Sequence, residues 1–174
     1  MKYPPVDIVD DQDNVIGSAM VAEVWAKGHR HRGVFIVLED NQGRILLQQR
    51  SPQMLLFPGC WDISAGGHVD TGMTYEAAAK AELAEELLLR DVPITFIGKY
   101  YTEDVMPDNR QAKVFFAVYR ARLSGIPEEF GQDEVSQVRW FTPQELDELV
   151  QQHPDKVAAG LRRVYTYALA PERH

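Results

Sequence analysis

The chain has 174 residues, 45% of them hydrophobic and 25% charged, the size and balance of one compact domain with a sizeable core, so a single domain over residues 1–174 is expected. A net charge of -8 and a pI near 5.1 argue against a nucleic-acid polymer as partner, because an acidic surface repels polyphosphate, although a small phosphorylated ligand is compatible with local cations or a metal. Cys60 is the single cysteine, which excludes an internal disulfide framework, and no run of about 18 apolar residues occurs, so a cytoplasmic protein without membrane association is expected.

In chain order, the pattern predicts a short strand at Val6–Val9, a turn at Asp11–Asn14 and a helix-like segment from Ser18 to Ala26. The basic run KGHRHR follows. VFIVLED, NQGR and ILLQQR then read as a hairpin closed by a tight Asn/Gly turn. In FPGCWDISAGGHV, Pro58, Gly59, Gly66 and Gly67 break any helix and leave extended segments. Thr74 is a candidate N-cap for a helix to about Leu89, with Ala77, Ala81, Ala84 and Leu88 as its apolar stripe. TFIGKYYTEDV, AKVFFAVYRARL and EVSQVRWF are rich in β-branched and aromatic residues and predict strands. Thr142-Pro143-Gln144-Glu145 is a capping box with proline at the first helical position, opening a helix to about His153, and a last helix is expected from Asp155 to Leu169. Strands interleaved with helices predict a mixed sheet covered on both faces, an α/β/α sandwich.

Glu82, Glu85 and Glu86 stand at i, i+3 and i+4, which puts all three carboxylates on one face of the predicted helix. Such neighbours repel by about 0.2 to 0.5 kcal/mol each on a helix. Hard oxygen donors grouped in this way suit Mg²⁺ or Mn²⁺; a solvated acidic face is the other reading of the same three residues.

The flanking sequence AGGHVDTGMTYEAAAKAELAEELLL (Ala65 to Leu89) resembles the Nudix box, G-x5-E-x7-R-E-U-x-E-E-x-G-U with U aliphatic. Gly67, Glu82, Leu83, Glu85, Glu86 and Leu89 match it. Met73 stands in place of its first glutamate, Ala81 in place of its arginine and Leu88 in place of its second glycine. The resemblance extends over about residues 6–150, through the hairpin ending in LLQQR, the FPGxWD-like approach and the later W-F-T-P-x-E-L.

The resemblance implies a Nudix-type fold and a metal-dependent hydrolase acting on a small-molecule diphosphate linked to another group. Carried over by position, the metal ligands are Glu82, Glu85 and Glu86 with the Gly66 carbonyl, and the metal is Mg²⁺ or Mn²⁺. Glu85, Glu86 and the later Glu134 are the candidate catalytic carboxylates, and a homodimer is the family's habit. Glu134 and Asp133 also read as turn residues at a strand start. Arg50 reads either as a phosphate-holding fork or as an ion-pair partner. Losing the arginine at Ala81 removes a cation that orients the glutamates, a change of the kind that costs 10 to 100-fold in metal affinity or activity, so weakened turnover is expected. Lys80 is a poor replacement because one residue rotates it by about 100° around the helix.

The run from HRHR to AGGH also resembles isopentenyl-diphosphate isomerase, with His31 and His68 matching two of its metal-ligand histidines. Gly66 occupies the place of that enzyme's catalytic cysteine, and NRQAKV does not match its acidic pair, which leaves the isomerase reading without proton donor and acceptor. His29, His31 and His68 read either as a metal site or as part of a basic surface cluster. A Nudix-fold protein that binds a nucleotide or diphosphate without cleaving it is the remaining alternative. Trp25, Trp61, Tyr100 and Tyr101 are candidates to stack on a base, although aromatic residues in strands are more often core.

Overall fold

The computed structural model describes residues 4–170. Strands β1 (Pro5–Val9) and β2 (Val15–Met20) form an antiparallel ribbon. The Asp10 carboxylate closes its turn by accepting from the Gln12 and Asn14 amides. The helix expected from Ser18 to Ala26 starts later than that, since the strand continues to Met20 and helix α1 occupies Val21–Lys27. Ala19 pairs with Val6 and Ser18 with Asp7, so cross-strand pairing holds these residues extended.

The main sheet has the order β5-β4-β3-β8-β7, with β6 pairing to β3 and β9 to β4. Its members are β3 (Arg30–Glu39), β4 (Ile45–Arg50), β5 (Trp61–Asp62), β6 (Ala65–His68), β7 (Thr95–Val105), β8 (Gln111–Arg122) and β9 (Val135–Phe141). β3 lies parallel to β8 from Arg30 opposite Lys113 to Glu39 opposite Arg122, while the other pairings are antiparallel. The hairpin expected between β3 and β4 is joined only at its base, where Glu39 meets Ile45. Beyond that pair the strands diverge, and residues 61–68 fill the fork, with Asp62 opposite Gln48 on β4 and Gly67 opposite Val34 on β3.

Ser64 pins the fork. Its buried hydroxyl accepts from the Leu38 amide at 2.8 Å and donates to the Leu46 carbonyl at 2.6 Å. One side chain thus satisfies a donor on β3 and an acceptor on β4 that strand divergence would otherwise orphan.

Alternation along β3 sends Val34, Ile36 and Leu38 to one face and Phe35 and Val37 to the other, which is why its apolar run is continuous. The first face packs on helix α2 (Tyr75–Glu86) through Ala78, Ala79 and Leu83. The second packs on α3 (Pro143–Gln152) and α4 (Ala159–Val164) through Leu146, Leu149, Leu161 and Val164. The result is the expected α/β/α arrangement.

Thr74 caps α2 by accepting from the Ala77 amide, and the Thr142 capping box opens α3. The α2 stripe differs from expectation: Ala78, Ala79, Leu83 and Glu86 are buried, whereas Ala77 and Leu88 are exposed. Alanines around most of the helix give its pattern little direction, so packing chooses the face. The helix also stops at Glu86 instead of Leu89. The single last helix is a 3-10 turn at Pro154–Lys156, then α4, then a π turn at Tyr165–Leu169. Among the described residues no helix is long and apolar enough to cross a membrane.

Candidate active site

The three box glutamates share a helix but not an environment. Glu86 is buried, and its Oε2 accepts from Gln48 Nε2 at 2.7 Å and from the Gly66 amide at 3.0 Å. It is therefore held by β4 and β6 together. Glu82 is half-buried with its carboxyl against Gly67, at the place a Cβ would fill. Any side chain at position 67 would displace that carboxylate. Among the described residues Glu82 makes no hydrogen bond or ion pair. Glu85 is exposed at the rim.

Glu134 joins this group from the loop before β9. The Gly131 amide donates to the Glu86 carbonyl at 2.8 Å, which docks the loop on the end of α2, and the Ser51 amide donates to the Glu134 carbonyl at 2.7 Å. A Cβ on Gly131 would lie 2.6 Å from the Glu85 carbonyl oxygen, so this close docking requires glycine.

Burial first, and then repulsion from Glu85, Glu134 and Asp70, pushes the Glu82 carboxyl up to about 8. Glu86 is raised well above the usual range by burial and then by Glu82, with the Gly66 amide opposing. Burial raises Glu134 as well, Arg50 pulls it down, and Glu85 and Asp133 push it up. The structure thus brings Glu82, Glu85, Glu86 and Glu134 into one field of mutual repulsion, and among the described residues no lysine, arginine or histidine side chain pairs with Glu82 or Glu86. Among the described residues no three acidic, histidine or cysteine side chains already enclose a common point. The donor set nevertheless fits a hard divalent cation: Glu82 is unpartnered, Glu86 is fixed through one oxygen only, and a bound cation would relieve the repulsion. Gly66 reaches the site through its amide, which holds Glu86.

Arg50 is an ion-pair partner but not a surface one. Its Nε donates to the Leu56 carbonyl at 3.0 Å, and Nη1 lies 3.4 Å from Asp62 Oδ2. Asp62 itself caps α4, accepting from the Leu161 amide at 2.7 Å. Gln48, Asp62 and Asp70 were missed in the sequence; the LLQQR and WD runs held the first two, but nothing in them says which residue faces α2.

The HRHR run is divided by strand alternation. Arg30 and Arg32 turn outward to Tyr101 and Asp13, whereas His31 is buried and stacks on His68 with ring centroids 5.4 Å apart. A surface cluster is thereby excluded for His31, and His29 is not part of the stack. Burial first, then the neighbouring His68, holds His31 down at about 3, and burial followed by Arg163 holds His68 at about 4. Both rings are neutral at physiological pH.

The chain has recognisable relatives among known proteins. Residues 29–166 match the NUDIX domain family model. The chain is 36% identical over 141 residues to the uncharacterized Nudix hydrolase YfcD of Escherichia coli (strain K12), covering 81% of this chain and 75% of that one. It is 35% identical over 136 residues to the uncharacterized Nudix hydrolase PA4841 of Pseudomonas aeruginosa, covering 78% and 77% of the two chains. The crystal structure of DR0079 from Deinococcus radiodurans superposes with a TM-score of 0.73 at 28% identity, covering 92% of this chain and 99% of that one.

The chain belongs to the Nudix family. Within its Nudix box the three departures have distinct structural meanings. Met73 packs half-buried on the core beneath α2, so apolar packing stands where a carboxylate is usual. Lys80 is paired with Glu76 at 2.6 Å on the exposed side of the helix and does not replace the arginine missing at Ala81. Leu88 adopts φ 54°, the left-handed conformation for which the box ordinarily supplies glycine. At Gly66 a Cβ would lie 2.5 Å from Phe35 Cδ1 and 2.7 Å from the Val34 carbonyl oxygen, so this Nudix protein has no room at that position for the isomerase's cysteine side chain.

Proposed function

We propose that the chain is a metal-dependent hydrolase of a small-molecule diphosphate linked to a second group, using Mg²⁺ or Mn²⁺. The observation that carries this reading is the pair of desolvated, mutually repelling carboxylates, Glu82 and Glu86, facing bare glycine backbone at Gly66 and Gly67 with no cationic partner. Burying such a pair costs stability unless a ligand compensates it.

Glu82 and Glu86 would hold the cation, with Glu85 at the rim completing the acidic wall. A bound divalent cation supplies neutralisation of the diphosphate oxygens and a more acidic water. Glu134 is the candidate to take the proton of the attacking water, since burial raises its basicity while Arg50 keeps its charged form accessible. Oxygen of that water bonds to phosphorus, the bridging phosphorus–oxygen bond breaks, and the departing phosphate carries away the electron pair. Gln48 and the Gly66 amide hold Glu86 in register throughout.

A second reading, a Nudix-fold binding protein without turnover, is favoured by Met73 and Ala81, which remove a carboxylate and a cation from the box. Phosphate and nucleotide release from a panel of diphosphates with Mg²⁺ or Mn²⁺ separates the two. Turnover that chelator abolishes and that collapses in Glu86→Gln and Glu85→Gln supports the hydrolase. Absence of turnover on every substrate, with ligand binding unchanged in both variants, overturns it.

A further inference from the structure

Side chains along β4 alternate between the two faces of the sheet. Leu46 joins the cluster beneath α2 and Leu47 the cluster beneath α3 and α4, so Gln48 returns to the α2 face, where it is buried. Asp62 of β5 stands opposite it on one side and Val138 of β9 on the other, which fixes its backbone from both edges. An amide buried there costs stability unless it is hydrogen-bonded, and its Nε2 donates to Glu86 Oε2 at 2.7 Å.

That bond decides which part of Glu86 is left for a ligand. An ionised carboxylate only accepts, and each of its oxygens has about two acceptor sites. Both sites of Oε2 are filled, one by Gln48 and the other by the Gly66 amide at 3.0 Å. Among the described residues nothing donates to Oε1. The strands therefore hold Oε2, and Oε1 is open. The Gln48 donor is also neutral. A guanidinium in the same place would cancel the carboxylate charge as well as orient it, whereas glutamine orients it and leaves the charge for a cation. Neither Ala81 nor Lys80, which is bonded to Glu76, supplies such a positive group.

Divalent cations differ in how they use a carboxylate. Ca²⁺ gathers about six to eight oxygens in a flexible shell and often takes both oxygens of one carboxylate, whereas Mg²⁺ demands a near-octahedral shell, keeps several waters and is held by one or two carboxylates. A glutamate with one oxygen already occupied suits the second cation and handicaps the first. We propose that Gln48 is a positioning residue that sets the cation preference of the carboxylate site, because by filling Glu86 Oε2 it closes two-oxygen coordination and favours Mg²⁺ over Ca²⁺. This role rests on the metal-dependent reading above and adds to it the residue that selects the metal. Without the Gln48 donor, one acceptor site on Oε2 reopens and the carboxylate loosens, so Mg²⁺ loses a positioned ligand while Ca²⁺ gains an oxygen.

Mg²⁺ and, separately, Ca²⁺ titrated calorimetrically into the metal-free full chain, with no substrate present, give the ratio of the two affinities. Gln48→Met, which keeps length and bulk but has no donor, should lower the Mg²⁺-to-Ca²⁺ affinity ratio by about tenfold relative to wild type. Gln48→Asn, whose amide is one methylene too short to reach Oε2, should shift the ratio the same way. Ser64→Ala, which loosens the fork between β3 and β4 without touching Glu86, should lower the urea midpoint and leave the ratio unchanged, so that lost stability alone does not mimic the effect. An unchanged ratio in either Gln48 variant that folds overturns the role of Gln48 and leaves the hydrolase reading standing. An equal fall in Ser64→Ala overturns it as well. Absence of saturable binding of either cation to the wild type overturns both readings together.

Discussion

Replacing Glu82 by glutamine should stabilise the metal-free protein in a pH-dependent way. The folded carboxyl titrates at about 8 against an ordinary value of 4.5. Between these values the folded chain keeps a proton that the unfolded chain has released, so stability is greatest below the ordinary value and falls as pH rises through the window. Glutamine has nearly the same shape and no charge, and no hydrogen bond of Glu82 is lost. The stability difference between Glu82→Gln and wild type should therefore widen by up to about 1.4 kcal/mol per pH unit, or about 2.5 kcal/mol from about pH 5.5 to about pH 7.5. Glu86 adds in the same direction, because Glu82 is one cause of its own raised value. For a chain of this size the corresponding gain in midpoint temperature is about 5–10 °C at the upper pH. Thermal and urea unfolding in chelator across this range, with buffers of matched ionic strength, provides the measurement. Parallel pH profiles for variant and wild type would refute the claim that the folded chain holds the Glu82 carboxyl protonated through this window. Millimolar Mg²⁺ or Mn²⁺ should flatten the wild-type profile more than that of the variant, as cation replaces proton.

Leu88→Gly should raise stability by about 0.5–1 kcal/mol, because relief of a left-handed φ of 54° exceeds the loss of a half-exposed side chain and the added chain entropy; a lower urea midpoint would count against it. Ser64→Ala should cost about 2–4 kcal/mol in urea unfolding, since the Leu38 amide and Leu46 carbonyl both lose a buried partner. A cost below about 0.5 kcal/mol would mean that β3 and β4 can close on each other without the pin.

The readable parts of this protein are those written in local chemistry. Thr74 and Thr142 announce their helices because a hydroxyl caps the amide three residues on, and both do so here. The β-branched and aromatic runs became β7, β8 and β9, and the spacing of Glu82, Glu85 and Glu86 together with the Nudix-like flanks pointed to the carboxylate helix.

Only the tertiary structure ranked those glutamates. Spacing puts them on one helical face, but Gly67 and Gln48, from strands distant in sequence, decide that Glu82 and Glu86 turn inward while Glu85 stays at the rim. The alanine-rich α2 carries little directional pattern, so its buried face follows from what the sheet offers it. The fork between β3 and β4 was equally hidden, because a hairpin turn specifies pairing near the turn and not how far it continues. His31 is the sharpest case: within HRHR it reads either as part of a metal site with His29 and His68 or as part of a basic surface cluster, and the register of β3 with β8 buries it beside His68. Charge and spacing are local properties of a chain, whereas burial, and with it the energy of an unpaired carboxylate or an unpaired donor, exists only once distant segments have closed around it.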